Sequence, residues 1–228
     1  MAKQDESGQA GLPSAQKPLR KGMLEKRQAI LRGARAVFGR EGFTRASIDA
    51  IAAEAGVSSR TLYNHFGDKE GLFRAVLLDS SVAVTTAQQE LLDRHFHKFR
   101  DPEGDLLDMV REWVGGAEAH PEHFALVRQI IPEANRLPAD VLEEWQRIGP
   151  RATREALKRH LLAVGRDGLL AIDEENAERA ARHLALFTAG AVAAETAQGA
   201  LTLAPEHFDR LVREGIGLFL TLYGKSAG

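Results

Sequence analysis

Residues 43–72 read FTRASIDAIAAEAGVSSRTLYNHFGDKEGL, and the placement of caps and apolar residues within them decides the fold. Ser47 suits a helix N-cap, with Ile48, Ile51, Ala52 and Ala55 at helical spacing behind it. Gly56 permits a sharp turn, because glycine takes a positive φ without steric cost. Ser58 caps a third segment in which Leu62 and Phe66, four residues apart, share one face. Gly67-Asp68 ends that segment, and Asp68 is placed to cap a long helix from Lys69. Two short helices about a glycine turn make a helix-turn-helix layout.

Upstream, Ile30, Leu31, Ala34, Val37 and Phe38 form one apolar stripe, which Gly42 closes. Downstream, amphipathic segments are expected at about 104–119, 121–135, 138–165, 173–198 and 205–223. Pro121, Pro138 and Pro205 sit at helix starts, where a missing N–H costs nothing. Asp173 suits an N-cap, whereas Pro132 and Pro150 fall inside apparent helices and should kink or split them. No segment alternates like a strand. The chain reads as all-α.

With 228 residues, 44% of them hydrophobic, a sizeable core is available. The absence of cysteine excludes disulfides, thiol nucleophiles and cysteine-based zinc sites. No apolar run is long enough to span a bilayer, and the first 22 residues lack the apolar stretch of a signal peptide, so a cytoplasmic protein is expected. The net charge of −2 conceals an asymmetry. Residues 1–74 hold 13 Lys and Arg against 8 Asp and Glu, a net of +5, and the remainder nets −7. A basic N-terminal third on an acidic body suggests one face attracted to phosphates. No glycine-rich phosphate loop follows a strand and no catalytic triad is recognisable, so an enzyme has no footing.

The third helix carries what a reader of double-stranded DNA requires: an apolar back and a front that reaches base edges or phosphates. Leu62 and Phe66 are the back; Ser59, Arg60, Thr61, Tyr63, Asn64 and His65 are the front. Arg60 has the geometry to pair with guanine and Asn64 with adenine. Ser47 and Ser58 offer hydroxyls at helix N-termini, and Lys69 a charge at the start of the fourth helix. Lys17, Arg20 and Lys21, at the end of a polar tail, are further candidates for a phosphate backbone. A small three-helix bundle without a nucleic-acid partner would share the apolar pattern.

The stretch AGVSSRTLYNHFGDKEGL resembles the signature of the TetR family of bacterial transcriptional regulators. The likeness covers residues 24–77, including Ile51-Ala52, Ala55-Gly56-Val57-Ser58, Thr61-Leu62-Tyr63, His65-Phe66 and Lys69-Glu70. It implies a homodimeric repressor that binds a near-palindromic operator and releases it when a small-molecule effector binds. By position, Ser47, Tyr63, His65 and Lys69 correspond to phosphate contacts. Ser59, Arg60, Thr61 and Asn64 correspond to places that read or approach bases. Ala46 stands where many members have Thr, which would remove one backbone contact. The implied organisation is a disordered tail at 1–22, a DNA-binding domain at 23–68, and an effector-binding and dimerisation domain at 69–228.

In that C-terminal part, residues 184–198 read LALFTAGAVAAETAQ, and the last segment is apolar over a wide arc. Gly190, Ala194, Ala197, Leu211, Ile216 and Phe219 are therefore candidates for a symmetric dimer interface. Trp113, Phe124, Arg128, Ile131, Trp145, Ile148, His183, Phe187 and Glu195 are candidates for a ligand pocket, each also readable as ordinary core. A buried Arg128 would favour an anionic effector. His95 with His97, and His120 with His123, lack the further ligands of a tetrahedral site, so neither a metal nor another cofactor is expected. The alternative function is a helical small-molecule-binding or coactivator protein that keeps the fold without reading DNA.

Overall fold

The computed structural model describes residues 21–225, eleven α-helices in chain order. Helix α1 is Lys21–Arg45, α2 Ile48–Ala55, α3 Ser59–Phe66 and α4 Lys69–Phe96. Then come α5 Pro102–Ala119, α6 Pro121–Glu133, α7 Ala139–Ile148 and α8 Pro150–Arg166. Helix α9, Ala177–Ala185, runs through a π turn at Leu186–Gly190 into α10, Ala191–Glu195, and α11 is Pro205–Tyr223. Most of the expected tail, with Lys17 and Arg20, lies outside the described residues, while Lys21 opens α1.

The caps form where residue chemistry places them. Ser47 Oγ accepts from Ala50 N at 3.1 Å, Ser58 Oγ from Thr61 N at 3.3 Å, and Asp68 Oδ1 from Gly71 N at 2.7 Å. Gly56 takes the left-handed conformation, φ 65°, and its N–H closes the end of α2. Gly42, at φ 77° and ψ 173°, breaks α1 so that residues 43–45 begin a fresh turn. The 138–165 segment is split at Gly149-Pro150 into α7 and α8, and Pro132 falls in the last turn of α6, which ends in a 3-10 turn at Ala134–Arg136. Asp173 caps a turn rather than the helix itself: its Oδ1 accepts from Glu175 N and Asn176 N, and α9 starts only at Ala177.

Two apolar cores result. The first joins the α1 stripe, Ile51, Leu62, and Leu72, Phe73, Val76 and Leu77 of α4 with Leu126 and Ile130 of α6. The second joins Leu91 and Leu92 at the far end of α4 with α5, α8, α9 and α11. Helix α4 therefore contributes to both. Arg35 ties α1 to Asp79 of α4 at 3.0 Å, and Arg74 ties α4 to Asp140 and Glu144 of α7. Helix α11 lies against the π turn because Gly215 has no side chain there. A Cβ would overlap the Phe187 carbonyl oxygen and come within 2.7 Å of its carbon.

Candidate DNA-reading surface and effector cavity

Helix α3 is held from behind by Leu62, 1% exposed, with half-buried Phe66 packed on the first core. Burying Leu62 contributes roughly 1.5–3 kcal/mol, and half-buried Phe66 less. The opposite face is open: Arg60, Tyr63 and Asn64 are exposed, and His65 is half-exposed. The remaining front residues are engaged. Ser59 Oγ donates to Asp49 Oδ1 at 2.6 Å, fixing α3 against α2, and the Ser58 and Thr61 hydroxyls pair at 2.9 Å. Arg60, Tyr63 and Asn64 are thus the side chains most free to reach a partner.

Lys69 is not simply displayed. Its Nζ donates to the Thr44 carbonyl at 3.3 Å and the Ala46 carbonyl at 3.1 Å, and lies 4.7 Å from the centre of the Phe43 ring. A cation at the N-terminus of α4 is disfavoured by the helix dipole, and capture by carbonyls just before α2 offsets that. Ala46 is 3% exposed, with its methyl group in the first core. The position faces inward.

Glu133, at the end of α6, reaches the turn after Gly42. Its carboxylate accepts from Phe43 N at 2.6 Å and Thr44 N at 3.2 Å. The break at Gly42 leaves these amides without partners within α1, and a side chain from another helix caps them. The same helix faces a cavity on its other side.

That cavity, about 870 Å³, lies among α4, α5, α6, α7, α8, α10 and the 197–204 loop. Trp113, Phe124, Arg128 and Trp145 line it as the sequence suggests. Five other candidates do not. Ile131 points to solvent at 59% exposure, because α6 turns its Phe124, Val127 and Arg128 face inward instead. His183 accepts or donates at Nδ1 to the Tyr223 hydroxyl at 3.0 Å, holding α9 to α11. Phe187 packs on the second core, and Ile148 and exposed Glu195 stand outside the lining. Sequence periodicity missed Gln88, Arg154 and His123, polar residues on three helices that meet only in space.

His123 is 8% exposed, with Nδ1 3.1 Å from Ser80 Oγ. Burial pushes its pKa down to about 4, and the charges of His120 and Arg35 add to that. It is a neutral imidazole at pH 7. His95, by contrast, pairs with Glu112 at 2.7 Å. The 197–204 loop starts with Ala197 at φ 48°, Gln198 at φ 62° and Gly199 at φ 81°, three successive left-handed residues.

Two of the proposed interface residues are also relocated. Ile216 and Phe219 are 1% and 0% exposed within the subunit, because the Gly215 approach turns them into the second core. Leu211 and Gly190 are half-buried, and Ala194 and Ala197 are exposed. The large apolar residues left on this surface are Leu186, Leu218 and Leu222, at 58%, 58% and 55% exposure.

A capped helix-turn-helix with an open third helix, carried on a helical body with a cavity, defines a DNA-binding regulator type of protein. Residues 30–76 match the model for bacterial regulatory proteins of the tetR family, and residues 116–225 match that for the AefR-like transcriptional repressor C-terminal domain. The chain belongs to the TetR family, whose members are transcriptional regulators rather than enzymes. It is 35% identical over 113 residues to the HTH-type transcriptional regulator UidR of Escherichia coli strain K12, covering 49% of this chain and 53% of that one. The chain thus matches about half the length of that relative. A solved TetR-family regulator from Mesorhizobium loti superposes with a TM-score of 0.78 at 24% identity, over 89% of this chain and 98% of that one. The flavonoid-responsive regulator FrrA gives a TM-score of 0.62 at 27% identity over the same shares. Among the described residues no helix is long and apolar enough to cross a membrane.

Proposed function

We propose that this protein is a ligand-responsive repressor that binds a near-palindromic operator as a homodimer in the cytoplasm. The observation that carries the reading is α3: pinned by Leu62 and by the Ser59–Asp49 bond, it presents Arg60, Tyr63 and Asn64 outward. Arg60 and Asn64 read base edges; Tyr63, His65 and the hydroxyls of Ser47 and Thr61 approach phosphates. Domain limits follow the same reading: DNA binding within residues 23–68, effector binding and pairing beyond. Exposed Leu218 and Leu222, one turn apart on α11, with Leu186 on the π turn beside it, form the pairing face. Pairing sets two recognition helices about 34–36 Å apart, one helical turn of DNA.

The effector enters the cavity. Helix α6 has His123, Phe124, Val127 and Arg128 on the cavity and Glu133 on the turn ahead of α2. Helix α4 contributes Ser81, Val84 and Gln88 to the cavity wall and Lys69 to the same turn. A ligand that favours one placement of α4 and α6 changes the separation of the reading heads, so effector and operator compete through their preference for different states. Similarity to a flavonoid-responsive regulator supports a small-molecule trigger. The alternative, a helical small-molecule-binding or coactivator protein that keeps the fold without reading DNA, rests on Ala46 alone.

Footprinting on the DNA upstream of the protein's own gene tests the reading. A protected, two-fold symmetric site is expected, and Arg60→Ala should relax preference at one position of each half-site by about 1–3 kcal/mol. Weak protection without sequence preference, governed only by salt, would refute it.

A further inference from the structure

The charge balance of the cavity wall is one-sided. Three arginines line it, Arg111, Arg128 and Arg154, and among the described residues no Asp or Glu does. Arg111 is satisfied: its Nε and Nη2 grip the carboxylate of Asp209 at 3.1 and 2.7 Å. Arg128 reaches only the Gln198 carbonyl, at 3.5 Å, too long for a firm bond. Arg154 has no hydrogen-bond or ion-pair partner among the described residues. Both are half-buried guanidinium groups, which carry only donors and no acceptor. Half-buried cations without counter-charges favour an anion from outside.

Most of the remaining wall is apolar or aromatic, with uncharged polar groups such as Ser81, Thr85, Gln88 and His123 among it. Trp113, Trp145, Phe124 and Phe208 contribute aromatic rings to it, and Gln88 is fixed by accepting from Thr153 Oγ1 at 2.8 Å. The volume falls within the range that encloses a drug-sized molecule. Resting on the effector-binding reading above, we propose that this cavity binds an aromatic carboxylic acid. Its ring system lies between the tryptophans, and its carboxylate is gripped by Arg154, with Arg128 as the second cation. A planar carboxylate matches the guanidinium fork with two parallel hydrogen bonds. Engagement of Arg128 would also replace its weak hold on the Gln198 carbonyl and so reach the left-handed 197–199 turn.

The chain has two tryptophans and both line the cavity, so occupancy reports itself in intrinsic fluorescence. The full-length protein is titrated with 2-naphthoate, with its neutral isostere 2-naphthamide, and with 2-naphthylmethylammonium, by calorimetry and tryptophan quenching. Naphthoate should bind at least about tenfold more tightly than the amide, with the ammonium weakest. Arg154→Gln should reduce that preference to about twofold or less, and Arg154→Lys should restore part of it. Thermal denaturation of each variant shows whether it is folded. The proposal is overturned if the amide or ammonium binds as tightly as naphthoate, or if the preference survives in the R128Q/R154Q double variant. Absence of quenching by every naphthyl probe overturns it too. Operator binding is measured in parallel without ligand. Its loss would defeat the regulator reading while the calorimetry still decides the anion site, and its presence without naphthoate binding would defeat this inference alone.

Discussion

Removing the Glu133 carboxylate tests how firmly the body of the protein holds its reading head. The side chain supplies two hydrogen bonds, to Phe43 N at 2.6 Å and Thr44 N at 3.2 Å. Hydrogen bonds to a charged group contribute roughly 1.5–3 kcal/mol each when protected from water. Thr44 is exposed and Glu133 only half-buried, so the pair together is worth about 2 kcal/mol. The turn it caps also carries the Thr44 and Ala46 carbonyls that bind Lys69. Glu133→Ala should therefore lower the Tm by roughly 4–8 °C for a chain of this length. Amide exchange at Phe43 and Thr44 should speed up by about thirtyfold at neutral pH, with the α8 amides unaffected. Glu133→Gln keeps one acceptor oxygen and should fall between. A Tm within about 1 °C of wild type, with unchanged exchange at both amides, would refute the clamp.

Three further outcomes follow from other positions. Because burial lowers the pKa of His123 to about 4, from an ordinary value near 6.5, the unfolded chain binds the extra proton between those values. Stability should be full above pH 6.5 and fall by about 3 kcal/mol towards pH 4, and His123→Gln should flatten this slope in urea titrations. Gly215→Ala places a methyl group against the Phe187 carbonyl and should cost at least about 1–3 kcal/mol; an unchanged urea midpoint would mean that α11 shifts freely. Lys69→Ala should lower stability by about 1 kcal/mol through the lost carbonyl bonds, as well as weaken DNA binding on every sequence alike. Equal stability with a flatter salt dependence would restore a purely phosphate-facing lysine.

The helix-turn-helix was legible because its determinants are local. Ser47, Gly56, Ser58 and Asp68 act on amides within three or four residues, and each cap forms as its chemistry requires. The α1 stripe was equally plain, since all five of its residues lie at helical spacing on one buried face. The cavity was half legible. Trp113, Phe124, Arg128 and Trp145 announce themselves as bulky or polar residues on apolar faces, but so do Ile131, His183 and Phe187, which do other work. The difference lies in how each helix is rotated about its axis, and periodicity is silent on that.

Interface assignment shows the same limit more sharply. Small and apolar residues on α11 mark a sticky helix, and the missing Gly215 side chain decides which side of it faces inward. Ile216 and Phe219 go to the subunit core, and Leu218 and Leu222 remain outside. By itself, then, the sequence determined an all-α chain, the capped helix-turn-helix, its outward basic and polar front, and its family. Only the tertiary structure decided that Lys69 is bound by carbonyls, that Glu133 clamps the reading head across some 90 residues of chain, and that Arg154 faces a cavity without a counter-charge. Capping and periodicity are settled within one or two helical turns. Charge balance and helix facing are settled by neighbours distant in sequence, which only packing brings together.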